Sequence, residues 1–482
     1  MILSTLRNQK GIALITVYAT SAFITILSAA AVGRAFWERR HVDNEISRLQ
    51  SLAAAEAGLQ RAMFQVSQNA YTGFINTAAI NWPSFQDVSG VTVGSFTANI
   101  QYPNQADWVI VQATGTVNGF TRNLEGRIFL DSNLSKYLVY ANATTFASGD
   151  NAQYGSSNGV DPQGVSGNPD DRTMMYFTGN WDANGTNVDL YGDVLAEGGI
   201  AGNASSQVHG DTYGQNFAQN GAGQVTNSGV TGGMVVGDGF ADDTDRNGDG
   251  VINNNDYGDY HDLTDSGGND AKAKDTLTAM NLAFYQSHNN VGAFSTAGNR
   301  YLEFQPVSGQ SYSRVVEYTS STYGTVKATY NLPDSAIVYV NGDAYVRGEI
   351  QGRVSIAASD DIMITGNFRY KSGQNYADAT HSAALLAKDK LFFYPNTVSV
   401  SGILYGENTS NSSVAFDADY NMTGTYDPSS KVQLRLYGNR IINGSTNLSS
   451  YDDRVYAYDQ NLKYYRPPGI PVVPDLRTVR ET

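Results

Sequence analysis

Apolar and polar residues repeat with three different periods along this chain. Residues 11–33 are apolar or small almost throughout and contain no charged side chain. From Phe36 to Phe64, apolar residues recur at helical spacing between Arg, Glu and Asp. Residues 70–134 change to the alternation of strands, and a period of six dominates from about residue 135. The pattern predicts a mainly β protein with one long N-terminal α-helix.

The apolar segment 11–33 is long enough to cross a bilayer, which takes about 20 residues in a helix. A basic leader, residues 1–10, precedes it, and Phe36-Trp37 follow at the expected membrane boundary. A secretory signal peptide would change character after its cleavage site, whereas here the helical pattern continues. We therefore expect one membrane or filament-core helix over residues 12–69. Gly33 lies where its apolar and polar parts meet, as a tolerated glycine or a point of bending.

Two strand-like runs, residues 91–100 and 108–117, precede an Asn118-Gly119 pair and a third run, residues 122–130. Asn-Gly between alternating runs is typical of a tight hairpin turn. The sequence predicts an antiparallel sheet of three or four strands within residues 70–134, packed on the helix.

The period of six is clearest in residues 335–371 and predicts a parallel β-helix (solenoid) within residues 135–482. A β-helix needs short strands with inward apolar residues and small residues at sharp corners. An ordinary sandwich with accidental spacing is the alternative. Ile356 should point inward, and its neighbour Ser355 should face outward and tolerate a charge. The six apolar residues of the main column are Val338, Ala344, Ile350, Ile356, Ile362 and Phe368.

Composition narrows the classes of function. The 482 residues include 49 glycines and no cysteine, and the net charge is −15. Without cysteine there is neither a disulfide nor a thiolate metal site, so burial or another metal site must provide stability. An acidic surface argues against nucleic acid as a partner.

Residues 245–256 match the calcium-binding loop of an EF-hand. Oxygen ligands recur at the required spacing, Gly250 permits the turn, and the twelfth position is Asp rather than Glu. Ca²⁺ is thus the expected cofactor, as a structural clip of millimolar affinity; an acidic turn without metal is the alternative. The expected ligands are Asp245, Asn247, Asp249, Val251 through its carbonyl, Asn253 and Asp256.

No catalytic residue is expected. The pair Asp360-Asp361 sits at a corner of the six-residue pattern, with no second acid expected one turn away, as paired catalytic carboxylates would require. P-loops and dinucleotide fingerprints are absent from the sequence. The chain is therefore predicted not to be an enzyme.

Two motifs resemble those of type IV pilin-like proteins. Lys10-Gly11-Ile12 resembles the junction cut by prepilin peptidase, which implies a leader of residues 1–11. Residues 52–59, with Glu56 at their centre, resemble the Ala-Ala-Glu-Ala-Gly run of PilX-type pilus-assembly proteins. Most pilins carry a glutamate at the position of Thr16, and its absence resembles minor subunits at filament tips, including the K-type pseudopilin.

The C-terminal run 455–471 resembles the end of large PilX-type proteins with a β-helical region, where its prolines would cap the exposed edge of the solenoid. The resemblance implies a minor, tip or initiating, subunit. It would be held in the inner membrane by one helix before assembly and displayed on the cell surface afterwards. Its partners would be other pilin or pseudopilin subunits, prepilin peptidase and a surface glycan or host ligand. The alternatives are a membrane-anchored protein that binds or cleaves carbohydrate, and a major filament subunit.

Overall fold

The computed structural model describes the chain from residue 2 to residue 481, with internal gaps. The ranges described are 2–68, 70–86, 88–103, 108–148, 151–154, 173–183, 188–190, 192–202, 207–208, 212–217, 234–236, 239–241, 279–371, 380–394, 397–409, 414–417, 434–448, 451, 454–459 and 461–481. Within these ranges, one long helix is followed almost entirely by strands.

Helix α1 extends over Ile2–Gln68 as a single element, through the leader and through Gly33. From residue 14 to about residue 43 its side chains are exposed, whereas from Ser47 onward one face is buried. The apolar first half thus has no partner among the described residues, and the amphipathic second half packs on a sheet. The expected helix over 12–69 is present and begins earlier along the chain.

The sheet under α1 has five antiparallel strands in the order β1-β2-β3-β4-β30. Its hairpin turn at Asn118 and Gly119 has φ values of 49° and 81°, the left-handed conformation that the Asn-Gly pair predicts. Its strands are β1 (Ile80–Gln86), β2 (Thr92–Gln101), β3 (Trp108–Val117), β4 (Phe120–Asp131) and β30 (Val473–Glu481).

The C-terminal strand β30 corrects one predicted boundary. Residues 473–481 were expected in the C-terminal region, yet they pair antiparallel with β4, from Val473 opposite Asp131 to Glu481 opposite Leu124. Everything between β4 and β30 is therefore an insertion between two neighbouring strands of the first sheet.

The inserted region, here called the parallel module, contains strands β5–β29 and three short helices. Its first group of strands is β5 (Val139–Ala141), β6 (Thr145–Ala147), β7 (Ala152–Tyr154), β8 (Thr173–Phe177), β9 (Asn180–Ala183), β10 (Asp189–Leu190), β11 (Gly192–Gly202), β12 (Gln207–Val208), β13 (Thr212–Phe217), β14 (Met234–Val236) and β15 (Gly239–Ala241). Helix α2 (Asn133–Lys136) precedes it.

The second group begins with helix α3 (Leu282–Ser287) and a 3₁₀ turn (Gly292–Ser295) and ends before α4 (Asn461–Tyr464). Its strands are β16 (Arg300–Pro306), β17 (Ser313–Tyr318), β18 (Val326–Asn331), β19 (Ser335–Val340), β20 (Ala344–Ile350), β21 (Arg353–Ala358), β22 (Ile362–Tyr370), β23 (Ser382–Ala387), β24 (Leu391–Phe393), β25 (Ser399–Gly406), β26 (Val414–Asp417), β27 (Leu434–Ile442), β28 (Ser445–Asn447) and β29 (Arg454–Ala457). Antiparallel pairing within the module is seen for β14–β15 and for the β16–β17–β18 hairpins.

Parallel pairing stacks these strands in three columns. The first column runs β19-β21-β23-β25-β27 and continues into β5-β8-β11-β13-β14. The second runs β16-β20-β22-β24-β26-β28, and the third passes through β20, β22, β25, β27, β29, β7 and β10 to β12. The chain therefore enters the stack in its middle, at β5, and the second group of strands later stacks beneath the first. We call the contact of β27 and β29 with β5 and β7 the seam.

The six-residue column predicted from the sequence is buried throughout. Val338, Ala344, Ile350, Ile356, Ile362 and Phe368 each have no exposed surface and belong to one apolar cluster inside the module. Val338 lies opposite Ile356, and Ala344 lies opposite Ile362, each 18 residues further on. At the corner before Ile350, Gly348 has φ 110°, and a Cβ there would lie 2.1 Å from the Phe304 carbonyl oxygen.

The outer face of the first column is also covered, which corrects the expectation for Ser355. Ser355 is fully buried, and its hydroxyl donates a 2.6 Å hydrogen bond to the carbonyl oxygen of Pro468. A second apolar cluster lies here, formed by outward-facing residues of the strands together with α3, α4 and Ile470. Pro468 therefore lies against the face of β21, whereas the sequence predicted that the C-terminal prolines cap the exposed edge of the solenoid.

Candidate functional site

The first candidate surface is the exposed part of α1. Leu14, Phe23 and Phe36 are 59, 62 and 68 % exposed, and large apolar side chains occur on all sides of this segment. Within the described residues, α1 is the one helix that is long and apolar enough to cross a membrane. Such a surface is stable in lipid or among other apolar helices, and not in water.

The residues expected at the processing junction lie in the first turns of α1. Lys10, Gly11 and Ile12 have helical backbones. Thr16 is exposed, and its carbonyl oxygen accepts a 2.8 Å hydrogen bond from the Thr20 hydroxyl. A Cβ on Gly33 would meet nothing within 4 Å, so this glycine serves no local packing.

The small residues around Glu56 allow α1 to approach the sheet closely. Ala54 and Ala55 are fully buried, and a Cβ on Gly115 of β3 would lie 2.4 Å from the Ala55 backbone nitrogen. A Cβ on Gly58 would lie 3.2 Å from the Ala113 Cβ. Glu56 itself faces solvent. The Ala-Ala-Glu-Ala-Gly run thus has a structural role in helix packing, and Glu56 lies on the exposed face of the helix.

A junction of backbone hydrogen bonds joins the sheet to the parallel module. Thr72 donates from its backbone to the Ile470 carbonyl, and its own carbonyl accepts from Gly469. The Tyr285 hydroxyl of α3 donates to the Gly469 carbonyl at 2.9 Å. Gly469 has φ 77°, and a Cβ there would lie 2.9 Å from Ile337 Cδ1. The segment after α4 therefore connects three elements: the loop that follows α1, helix α3 and the first column of strands.

The second candidate site is an acidic corner of the module. Asp343, Asp360 and Asp361 bring one carboxylate oxygen each to within 4.8 Å of one another. Asp343 precedes Ala344 and Asp361 precedes Ile362, the two residues paired between β20 and β22. An acid therefore does recur one turn away, contrary to the sequence expectation; the 18-residue spacing between Asp343 and Asp361 was the available signal. Carboxylate oxygens in such a group suit a hard cation.

Burial and like charge raise the pKa values of this corner. Burial, followed by repulsion from Asp343 and Asp389, raises the pKa of Asp360. The pKa of Asp361 is raised to about 7, mainly by burial and also by Asp360, Asp389 and Asp343, against a lowering hydrogen bond from the Lys390 backbone. The corner therefore changes charge near neutral pH, or when a cation binds.

The predicted calcium loop lies outside the described residues. Strand β15 ends at Ala241, and the description resumes at residue 279, so the six expected ligands Asp245, Asn247, Asp249, Val251, Asn253 and Asp256 fall between them. The short helix α3 follows this gap and begins at an Asn281 cap, whose side-chain oxygen accepts from the Phe284 backbone at 3.3 Å.

No protein-family model matches the chain. Searching the curated proteins gave no match either. Among solved structures, the crystal structure of the competence-associated pilin ComZ from Thermus thermophilus aligns with 90 % of this chain and 97 % of that one, at 13 % identity and a TM-score of 0.28.

Proposed function

We propose that this protein is a minor pilin-like subunit, at the tip or the start of a type IV pilus or related filament. The observation that carries the proposal is the division of α1. Its apolar first half is exposed on all sides, while its second half is fixed to the sheet through Ala54, Ala55 and Gly58. The sheet and the parallel module are thereby attached to a helix whose apolar half needs lipid around it before assembly and neighbouring apolar helices after assembly.

We infer that the three columns of parallel strands wind as a β-helix, which the filament displays at the cell surface. Strand pairs separated by 18 residues and inward apolar columns support this reading. The module would serve assembly or adhesion to a glycan or host ligand, without catalysis. Thr16 in place of the usual pilin glutamate, and the bulk of the module, favour a minor over a major subunit.

Ca²⁺ is proposed as a structural cofactor of the loop 245–256. The support is the match of its ligand types and spacing to the EF-hand loop. A membrane-anchored carbohydrate-binding or carbohydrate-cleaving protein is the second candidate function, favoured only by the acidic corner at Asp343, Asp360 and Asp361.

The decisive experiment is N-terminal sequencing of the protein from its native membrane and from sheared filaments. Under the proposal the mature chain begins at Ile12, because prepilin peptidase cuts after Gly11. Gly11→Val should block cleavage by crowding the scissile bond. Gly33→Val is the matched control, since Gly33 lies in the same helix with nothing within 4 Å of a new Cβ.

The amount of this protein in sheared filaments tests the proposed role as a minor subunit. The protein should be present in sheared filaments at a few copies per filament, and Gly11→Val should remove it from them. A native chain that begins at Met1 or after Ala31, or its absence from filaments, would leave the anchored carbohydrate-binding protein as the better reading. Abundance equal to the main subunit would instead indicate a major subunit.

A further inference from the structure

One charged side chain interrupts the aliphatic interior of the first column. From β19 to β11, one register position carries an aliphatic or Met side chain at seven of eight successive levels and Arg440 at the other, and Thr212 follows at the next level. The aliphatic and Met residues are Val338, Ile356, Leu385, Leu404, Val139, Met175 and Val194. Arg440 is 1 % exposed and is among the largest fully buried side chains of the described part of the chain.

Within the described part of the chain, the guanidinium of Arg440 has no hydrogen-bond acceptor. Its Nε, Nη1 and Nη2 are all buried without a partner among the described residues. The contrast is Arg300, which is also buried, where Nη1 donates a 3.0 Å hydrogen bond to Glu317. An arginine remains charged at any working pH, so Arg440 cannot escape by losing its proton.

Aromatic rings surround this charge and leave its N–H groups unsatisfied. Its Cζ lies 4.1 Å from the ring centre of Tyr456, 5.7 Å from that of Phe146 and 5.9 Å from that of Phe416. Ring faces attract a cation, but they are poor acceptors for five N–H donors. An isolated buried charge is normally neutralised by a counter-charge with hydrogen bonds, and the described side chains supply none here.

The position of Arg440 gives this charge a structural role. It lies at the seam, opposite Val139, and its backbone donates to the Leu138 carbonyl at 2.8 Å. Beside it, the rings of Tyr154 and Tyr456 stack across the same seam with centres 4.8 Å apart. A group bound to Arg440 would therefore contact strands from both halves of the module.

We propose that Arg440 binds a small inorganic anion of chloride size inside the parallel module, and that this anion helps to join its two halves at the seam. The rings of Phe146, Phe416 and Tyr456 lie within 6 Å of the guanidinium carbon, so we expect a compact anion to be accepted and a large one such as gluconate to be rejected. Water alone would satisfy N–H groups but would leave the charge uncompensated.

The test measures Tm of the full-length protein in detergent, in sodium chloride and in sodium gluconate at equal ionic strength. The wild-type Tm should be several degrees higher in chloride, because an anion bound only by the folded state stabilises it. Arg440→Met, apolar and of similar length, should lose that difference. Arg300→Met should keep it, although its Tm falls in both salts. A wild-type Tm equal in the two salts, or a chloride effect unchanged in Arg440→Met, would overturn the proposal.

A second measurement does not depend on a variant that folds. Crystals of the wild-type protein grown in bromide should give an anomalous peak within contact distance of the Arg440 nitrogens. A bromide data set without a peak at Arg440 would show that the aromatic rings hold the guanidinium alone, and the proposed anion site would be dismissed.

Discussion

Ile356 and Ser355 are neighbours in β21 but lie in different buried layers, one inside the module and one on its covered outer face. Ile356 lies in the apolar interior between Val338 and Leu385. Ser355 faces the opposite side, where α3 and the C-terminal segment cover it and Pro468 accepts its hydrogen bond. Both are fully buried, so burial alone does not distinguish them.

Ile356→Asp should lower the free energy of unfolding by several kcal/mol, because it places an unpaired carboxylate in the apolar interior. Ser355→Asp should be costly as well, since the carboxylate would meet the Pro468 carbonyl in a buried layer. Ser355→Ala, which removes only the hydroxyl, should cost about 1 kcal/mol. Urea unfolding of the three variants measures these changes in the free energy of unfolding. If Ser355→Asp left that free energy unchanged, the outer face of β21 would not be covered.

The acidic corner makes stability depend on pH through Asp361. Its pKa is about 7 in the folded protein, above the ordinary value of 3.8. The folded state therefore takes up a proton more readily than the unfolded state, so the stabilisation present below pH 4 is lost as the pH rises to about 7. Wild-type Tm should fall across this window.

Asp361→Asn should reduce that slope and raise Tm at pH 8, because the amide oxygen can still accept from the Lys390 backbone. Asp475→Asn is the control, since Asp475 is exposed beside Arg477. A part of the slope should persist, because burial also raises the pKa of Asp459 to about 6. Equal slopes in wild type and Asp361→Asn would rule out Asp361 as the titrating group.

At the scale of elements, contact between α1 and β3 depends on glycine at one position. A Cβ on Gly115 would lie 2.2 Å from the Ser51 carbonyl oxygen, a contact that backbone atoms must move to relieve. We expect Gly115→Ala to cost about 1–3 kcal/mol by overpacking. Gly292→Ala, with nothing within 4 Å of its new Cβ, should change stability little. Melting curves of both variants make the comparison; similar effects would show that α1 does not rest closely on β3.

The elements most visible in the sequence were those whose pattern is local. The apolar run of α1, the Asn118-Gly119 turn and the period of six each lie within a short stretch of chain. Partners distant in the chain were missed: β30 pairs with β4 more than 340 residues away, Ser355 meets Pro468, and Asp343 meets Asp361. Composition carries no signal of which distant segment covers a strand.

Arg440, at the seam, is a further residue whose surroundings could not be predicted from the sequence, because they depend on how the strands stack. Arg440 follows Gly438 and Asn439 in a short polar run that does not mark it as an interior residue. Its pairing with Leu404 of β25 and with Val139 of β5 makes it an interior position. The order of stacking, with β5 following β27, has no counterpart in the order of the chain.

At the scale of the whole molecule, the calcium loop is expected to join the two halves of the chain within the module. Filling such a site at a hundred times its dissociation constant would add about 2.7 kcal/mol. EDTA should therefore lower Tm and increase proteolysis between residues 237 and 262. Asp249→Ala should make the protein insensitive to EDTA, whereas Asn254→Ala, at a position without a ligand, should not. If titration calorimetry shows no binding at millimolar calcium, the loop is an acidic turn that binds no metal.

The insertion of the parallel module between β4 and β30 has an evolutionary consequence. Its two ends leave the sheet side by side, at the paired residues Asp131 and Val473. The sheet therefore constrains the separation of two neighbouring strands, and the junction with Thr72 constrains the segment after α4. The rest of the inserted sequence is free to diverge. Lineages that carry the same α1 and sheet can thus present unrelated exteriors, because changes within the insertion leave the pairing of β4 with β30 in place.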